Sequence, residues 1–434
     1  MKLMITTAAI GLLAISAPAI AQMYGYGQQQ PQQPSSAADT AAVRTTQAAN
    51  NAPAAATSQP GQKQIHPSSK AQKAIVDLQD AVNKGDTASI PAKLAAAQAV
   101  ASTADDRYAI GELQLKAAMA ANNSAAMTAA VDAIASSGFV DAGTSAKLYK
   151  GLGGQFYNAK QFDQAAAAFQ KASTVDPRDP EATTLLGEAK FAQGQKAEAA
   201  TDFQRAIQLQ TANGQKPDEA LLKRAVSVAY EVQSPLAPEL GREWAAAYPS
   251  ADSWHNSIAI YRNLNHPDEE GTLDLLRLAQ ATNSMTSGDY SLFAEAAAEQ
   301  SNYNEAQAVL DAGIAAKTVD PSNPQFRDLL AALKTKPKAT AADLQAALKM
   351  SPPTTSVLRI GDRYYGMGDY AQAADVYRQL LSKPDADKDV ANLHLGMALA
   401  RAGDKAGATA ALNAVGGSRA DIAKFWLVYV QQHA

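Results

Sequence analysis

The apolar positions of this chain fall into a phrase that is written twice in succession. From residue 146 the large and small apolar residues Tyr149, Leu152, Gly153 and Phe156 recur at helical spacing. A second set follows, Ala165, Phe169 and Ala172, and Pro177 ends the unit. About 34 residues on, Leu186, Gly187, Ala199, Phe203 and Ala206 repeat the order. Each unit predicts two helices joined by a short turn, because three- and four-residue spacing puts these side chains on one face. The phrase returns near the end as Ile360, Gly361, Tyr364, Ala373, Tyr377 and Leu380. It returns again as Leu395, Gly396, Leu399, Ala408 and Leu412. Fainter copies keep phase between and before these pairs. Units are expected to start near residues 71, 105, 146, 180, 218, 251, 287, 321, 354 and 389. No run of β-branched residues alternates with a period of two, so strands are not expected.

Helix punctuation supports the same divisions. In Asp176-Pro177-Arg178-Asp179-Pro180, Asp179 is placed to cap a new helix and Pro180 to sit at its first position. Asp320-Pro321-Ser322-Asn323-Pro324 repeats that design, and Lys216-Pro217-Asp218 and Tyr248-Pro249-Ser250 add two more breaks. The last stretch, 421–434, carries Ile422, Phe425, Trp426, Val428 and Tyr429 in helical array. It is expected to pack on the final unit and close the stack.

The combination of slots resembles the tetratricopeptide repeat family. A large residue, a Leu-Gly pair and an aromatic form the first helix of a unit. Alanine, aromatic and alanine form the second, and a proline closes it. Gly153 and Ala165 are small where the paired helices cross, and Phe169 is expected to fill the gap to the neighbouring hairpin. The resemblance implies an all-α, right-handed superhelical solenoid over residues 69–420. Its clearest units are 146–179, 180–213, 354–388 and 389–420. It also implies that first helices line a concave groove. On that basis Lys150, Tyr157, Phe191, His255, Arg262 and Tyr365 are the candidate groove contacts.

Residues 1–21 predict an export signal. Lys2 precedes a short apolar run, Pro18 breaks it, and Ala19-Ile20-Ala21 fits a small-x-small cleavage site. Residues 22–68, opening Tyr24-Gly25-Tyr26-Gly27 and then rich in Gln, Pro, Ala and Ser, read as a disordered tether. The chain has no cysteine, so disulfides, thiolate metal sites and a lipidated cysteine after the signal are excluded. A periplasmic protein of a Gram-negative bacterium, not a lipoprotein, is expected. No later segment suggests a membrane span.

Net charge is −4 with both signs interspersed, which does not suggest a nucleic-acid binder. The five histidines, His66, His255, His266, His394 and His433, make no metal-ligand pair. Gly151-Leu152-Gly153-Gly154 lacks the lysine and strand of a phosphate loop. Asp105-Asp106 and Glu269-Glu270 sit where helix starts favour negative charge. No catalytic, cofactor or metal constellation is expected, and the chain does not read as an enzyme. The resemblance implies an interaction scaffold in an envelope assembly, holding a partner peptide or domain. It also admits a polysaccharide-binding or exopolysaccharide-export role.

Overall fold

The structure is a computed structural model that describes residues 64–433. The expected signal segment and most of the expected tether lie outside the described residues. The described chain is an all-α array of helical hairpins with twenty-one helices. It divides into two compact units, one ending at Gln193 and one beginning at Gly194. The division falls in the turn of the repeat read as 180–213, so that repeat contributes a helix to each unit.

Unit 1 contains α1 (Ser69–Lys84), α2 (Ile90–Val100), α3 (Ala104–Ala120), α4 (Ser124–Ala135), α5 (Ala142–Asn158), α6 (Phe162–Val175) and α7 (Pro180–Ala192). First helices begin within a few residues of the positions the pattern predicts. The punctuation works as the chemistry requires: the Asp179 carboxylate accepts from the Glu181 and Ala182 backbone N–H groups, and Pro180 opens α7. Residues 64–68, counted with the tether in the sequence, are instead fixed. The Ser68 backbone N–H and hydroxyl both donate to Asp106, at 2.7 and 2.8 Å, and the His66 N–H donates to Asp105. The Asp106 carboxylate, which burial alone would push up, is held well below its ordinary range by these and the Ser102 and Thr103 N–H groups.

The repeated glycine has a definite partner. A Cβ on Gly153 would stand 2.5 Å from the Phe169 ring, and one on Gly396 would stand 2.5 Å from Leu412. Gly361 meets Tyr377 in the same way. In each pair the large residue follows sixteen positions later on the second helix. Phe169 therefore fills the crossing inside its own hairpin, and it shares a buried cluster with Ala182, Leu185 and Leu186 of the next one. Tyr149, Leu152, Phe156, Ala165 and Ala172 are buried with it. In the same unit Leu186 is buried and Gly187 lies on the buried part of α7.

Unit 2 begins with α8 (Lys196–Ala212), which buries Ala199, Phe203 and Ala206. It continues with α9 (Glu219–Glu231), α10 (Leu236–Ala247), α11 (Ala251–Asn265), α12 (Glu269–Ala281), α13 (Ser287–Glu299) and α14 (Tyr303–Ala315). Then come α15 (Pro324–Lys334), α16 (Ala341–Lys349), α17 (Thr354–Gly366), α18 (Tyr370–Leu381), α19 (Lys388–Ala402), α20 (Lys405–Asn413) and α21 (Ala420–Gln432). Here the packing departs from a simple stack. Helix α14 packs directly on α17, although α15 and α16 lie between them in sequence. Helix α21 packs on α20, as expected of a cap, and also on α10, α12 and α19. The last helix thus joins the end of the unit to its beginning. Tyr364, Ala373, Tyr377, Ala408 and Leu412 are buried in the core that results.

Two helices are enclosed on nearly every side. Helix α12 is buried continuously from Leu273 to Ala279, and α19 from Leu393 to Leu399. Such all-round burial belongs to a helix in the middle of a domain. It forces whatever polar residues lie on these helices into the interior.

Candidate functional site

In unit 1 the first-helix face carries a small groove between α3, α4 and α5. Leu115, Val131, Lys147, Leu148, Gly151, Leu152 and Gln155 line it, around a cavity of about 60 Å³. That volume takes the end of a side chain and falls far below the few hundred Å³ of a small-molecule site. Next along α5, a Cβ on Gly154 would meet nothing within 4 Å, so the helix surface beside the groove is open. Lys147 is exposed and Leu148 and Gln155 are half-buried, giving an apolar floor with a polar rim.

The sequence-predicted contacts do not gather in one place. Lys150 is mostly covered and joins α5 to the start of α7, with Nζ 2.8 Å from Asp179 and also paired to Glu181. Burial would lower its pKa, but the two carboxylates raise it. Its charge is therefore engaged within the protein. Tyr157 is half-buried with its ring edge-on to Phe162 at 5.3 Å, and Phe191 is half-buried on α7. In unit 2, His255 and Arg262 converge on one carboxylate: Asp289 lies 3.6 Å from His255 Nδ1 and 3.2 Å from Arg262 Nη1. Tyr365 is 4 % exposed, edge-on to Tyr370 and beneath the Arg277 guanidinium. It belongs to the core of unit 2 and is closed to a groove ligand, because α14 packs against its helix.

What the sequence reading missed is a charge cluster at the centre of unit 2. The Arg277 guanidinium donates through Nε and Nη2 to the two Glu305 oxygens at 2.8 and 2.9 Å, and through Nη1 to Asp274 at 3.2 Å. His394 lies between two carboxylates, with Nδ1 2.9 Å from Asp362 and Nε2 3.2 Å from Asp274. The Tyr377 hydroxyl donates to Asp362 at 2.7 Å, and Asn302 Nδ2 donates to Glu305 and to the Asp362 carbonyl. These groups come from α12, the turn before α14, α14 itself, α17, α18 and α19, and all are buried. A readable signal did exist: Asp274 and Arg277 interrupt a leucine run, Leu273 to Leu278, that has no polar face. Charged residues in such a helix must be inside and paired.

Burial would push His394 toward the neutral form, but Asp274 and Asp362 outweigh it and raise its pKa to about 10. Asp362 is pushed up by burial and pulled below its ordinary range by His394 and Arg277. The cluster is enclosed, and its hydrogen bonds and ion pairs tie α12, α14, α17, α18 and α19 together. A pH dependence follows. The folded pKa of His394 lies above its ordinary 6.5, so its contribution is complete below about pH 6.5 and is lost as pH rises toward about 10. The melting temperature of unit 2 is expected to fall across that window. A His394→Leu variant should lose that part of the slope; an unchanged slope would remove His394 as its source.

The tetratricopeptide repeat family model matches residues 155–220 and 358–421. No curated protein matches the chain in sequence. Among solved structures, Pseudomonas aeruginosa pilF is similar at 14 % identity and a TM-score of 0.24, over 61 % of this chain and 97 % of that one. A tetratricopeptide repeat protein from Parabacteroides merdae is similar at 16 % identity and a TM-score of 0.26, over 59 % and 100 %. The P58(IPK) TPR domain is similar at 13 % identity and a TM-score of 0.19, over 84 % and 98 %. Among the described residues no helix is long and apolar enough to cross a membrane.

Proposed function

The chain is a tetratricopeptide-repeat protein, and from that premise we propose that it is an exported scaffold which holds a partner peptide or domain in an envelope assembly. The single observation that carries this reading is the open first-helix face of unit 1. There a side-chain-sized apolar hollow sits beside the bare backbone of Gly154 and under a rim of Lys147 and Gln155. In unit 2 the corresponding candidates are engaged by their own neighbours, Tyr365 in the core and His255 and Arg262 at Asp289. Export to a periplasm rests on Lys2, the apolar run after it and Ala19-Ile20-Ala21.

A capture experiment tests the reading. The mature chain, Gln22 to Ala434, is immobilised and exposed to envelope extract beside a Lys147→Glu/Gly154→Gln variant. Both changes lie at the rim, and the second enters open space, so melting should be unaltered. Specific protein partners are expected with the natural chain and not with the variant. Retention of an acidic polysaccharide with no protein partner would overturn the proposal, as would capture that the variant leaves intact.

A further inference from the structure

We propose that the turn between α15 and α16 is a docking site for an acidic protein segment. The proposal takes from the scaffold reading only that the ligand is protein. The direct packing of α14 on α17 leaves α15 and α16 at the margin of the core rather than between those two helices. Helix α15 buries only Phe326 and Leu333, and α16 only Leu344. Those three side chains join the core of unit 2, and most of the other residues of the two helices are exposed.

The turn between them is basic and rigidly held. Lys334, Lys336 and Lys338 follow one another at every second position and are all exposed. Ala339 and Asn304 exchange two hydrogen bonds, at 3.0 and 3.1 Å, and Lys336 stands 5.6 Å over the Tyr303 ring. The Tyr364 hydroxyl donates to the Ala341 carbonyl at 3.1 Å, which ties α17 to the start of α16; Arg363 precedes it on α17 and is half-buried. The acids at this end are engaged as helix caps: Asp343 accepts from Thr340, and Asp369 from the Gln372 N–H. Among the described residues none of the four cations has an ion-pair partner. Over residues 317–363 lysine and arginine outnumber the acids two to one, in a chain whose net charge is −4. This is a local reversal of sign of the kind that selects a complementary partner.

The chemistry of the partner follows from what lies beside the charge. Leu329 and Leu330, about one helical turn before Lys334 on α15, are half-buried and pack in part against the core of unit 2. A ligand that covers them must bring apolar side chains together with carboxylates. A protein segment does so, whereas a polysaccharide or a nucleic acid supplies charge without aliphatic groups.

The test uses the full mature chain and, as probe, a short fluorescein-labelled peptide of glutamates interrupted by two leucines. Binding that weakens as salt rises is expected. A Lys334→Glu/Lys336→Glu/Lys338→Glu variant should bind about tenfold or more weakly. A Lys70→Glu/Lys73→Glu/Lys84→Glu variant, with the same charge change on α1, should bind as the natural chain does. Equal loss in both variants, no binding, or binding of heparin or phosphatidylglycerol vesicles without the peptide would each overturn the site. Thermal melting of the variants checks that the fold is intact. If the peptide binds at the turn while envelope capture yields no partner, the scaffold reading fails and the site stands. The opposite pair of results removes the site and leaves the scaffold.

Discussion

Replacing Arg277 by methionine is expected to cost unit 2 about 3–5 kcal/mol, the range for removing one partner from a buried ion pair. The guanidinium is 1 % exposed and is the only cation within reach of Glu305 among the described residues, while Asp274 and Asp362 also face it. Without it, three buried carboxylates are left with one imidazolium. The cost comes from the uncompensated charge more than from the lost attraction. A second substitution separates the two. In Arg277→Met/Glu305→Leu the deserted carboxylate is gone, and the buried pair is replaced by apolar volume that is often neutral. The double variant should therefore recover a large part of the stability lost in the single one. Calorimetric melting of the protein measures both. A single variant that melts as the natural chain does would mean the cluster is hydrated and open, and the cohesive role assigned to it would fall.

The repeat phase was legible because each unit places the same few residues at the same few contacts. Gly153 read as a crossing point from the sequence, and it and its counterparts Gly361 and Gly396 each meet a large residue sixteen positions on. Pro180 and Asn323-Pro324 read as helix starts and are helix starts. These are local facts, set by side chains within one hairpin. The charge cluster is not local. Arg277 finds Glu305 at a separation of 28 residues, and Asp274 finds His394 across 120. Nothing in helical spacing states which helix will face which once an array closes on itself. The same gap explains Tyr365. Its slot on α17 would face a groove if hairpins stacked evenly, but α14 packs directly on α17 and puts it inside. The candidate groove was legible only in part, since the slots name positions on first helices but not which neighbours cover them. Lys150 lost its freedom to Asp179 and Glu181 at the start of the next hairpin.

Trp426→Ala should destabilise unit 2 by about 3–5 kcal/mol, the usual range for truncating a fully buried large aromatic, and the place where the damage spreads is more informative than its size. The indole is fully buried, edge-on to Tyr429, with Nε1 3.4 Å from the Asp274 carbonyl on α12. Around it α21 reaches far upstream. Phe425 meets the edge of Tyr261, and Gln432 Nε2 donates to the Ala245 carbonyl at 2.7 Å. Arg419, just before the helix, grips both Asp268 oxygens at 2.6 and 2.9 Å. A helix that merely capped the last repeat would, when loosened, expose α19 and α20 and leave the rest protected. A helix that fastens the end of the unit to its beginning would release α10 and α12 as well, although the contacts to them span 187 and 152 residues of sequence. Amide hydrogen exchange reads this directly, because protection follows the local opening free energy. Faster exchange in 236–247 and 269–281 together with 388–413 is the expected pattern. Loss confined to 388–413 would make α21 a simple cap and would leave the two ends of unit 2 energetically independent.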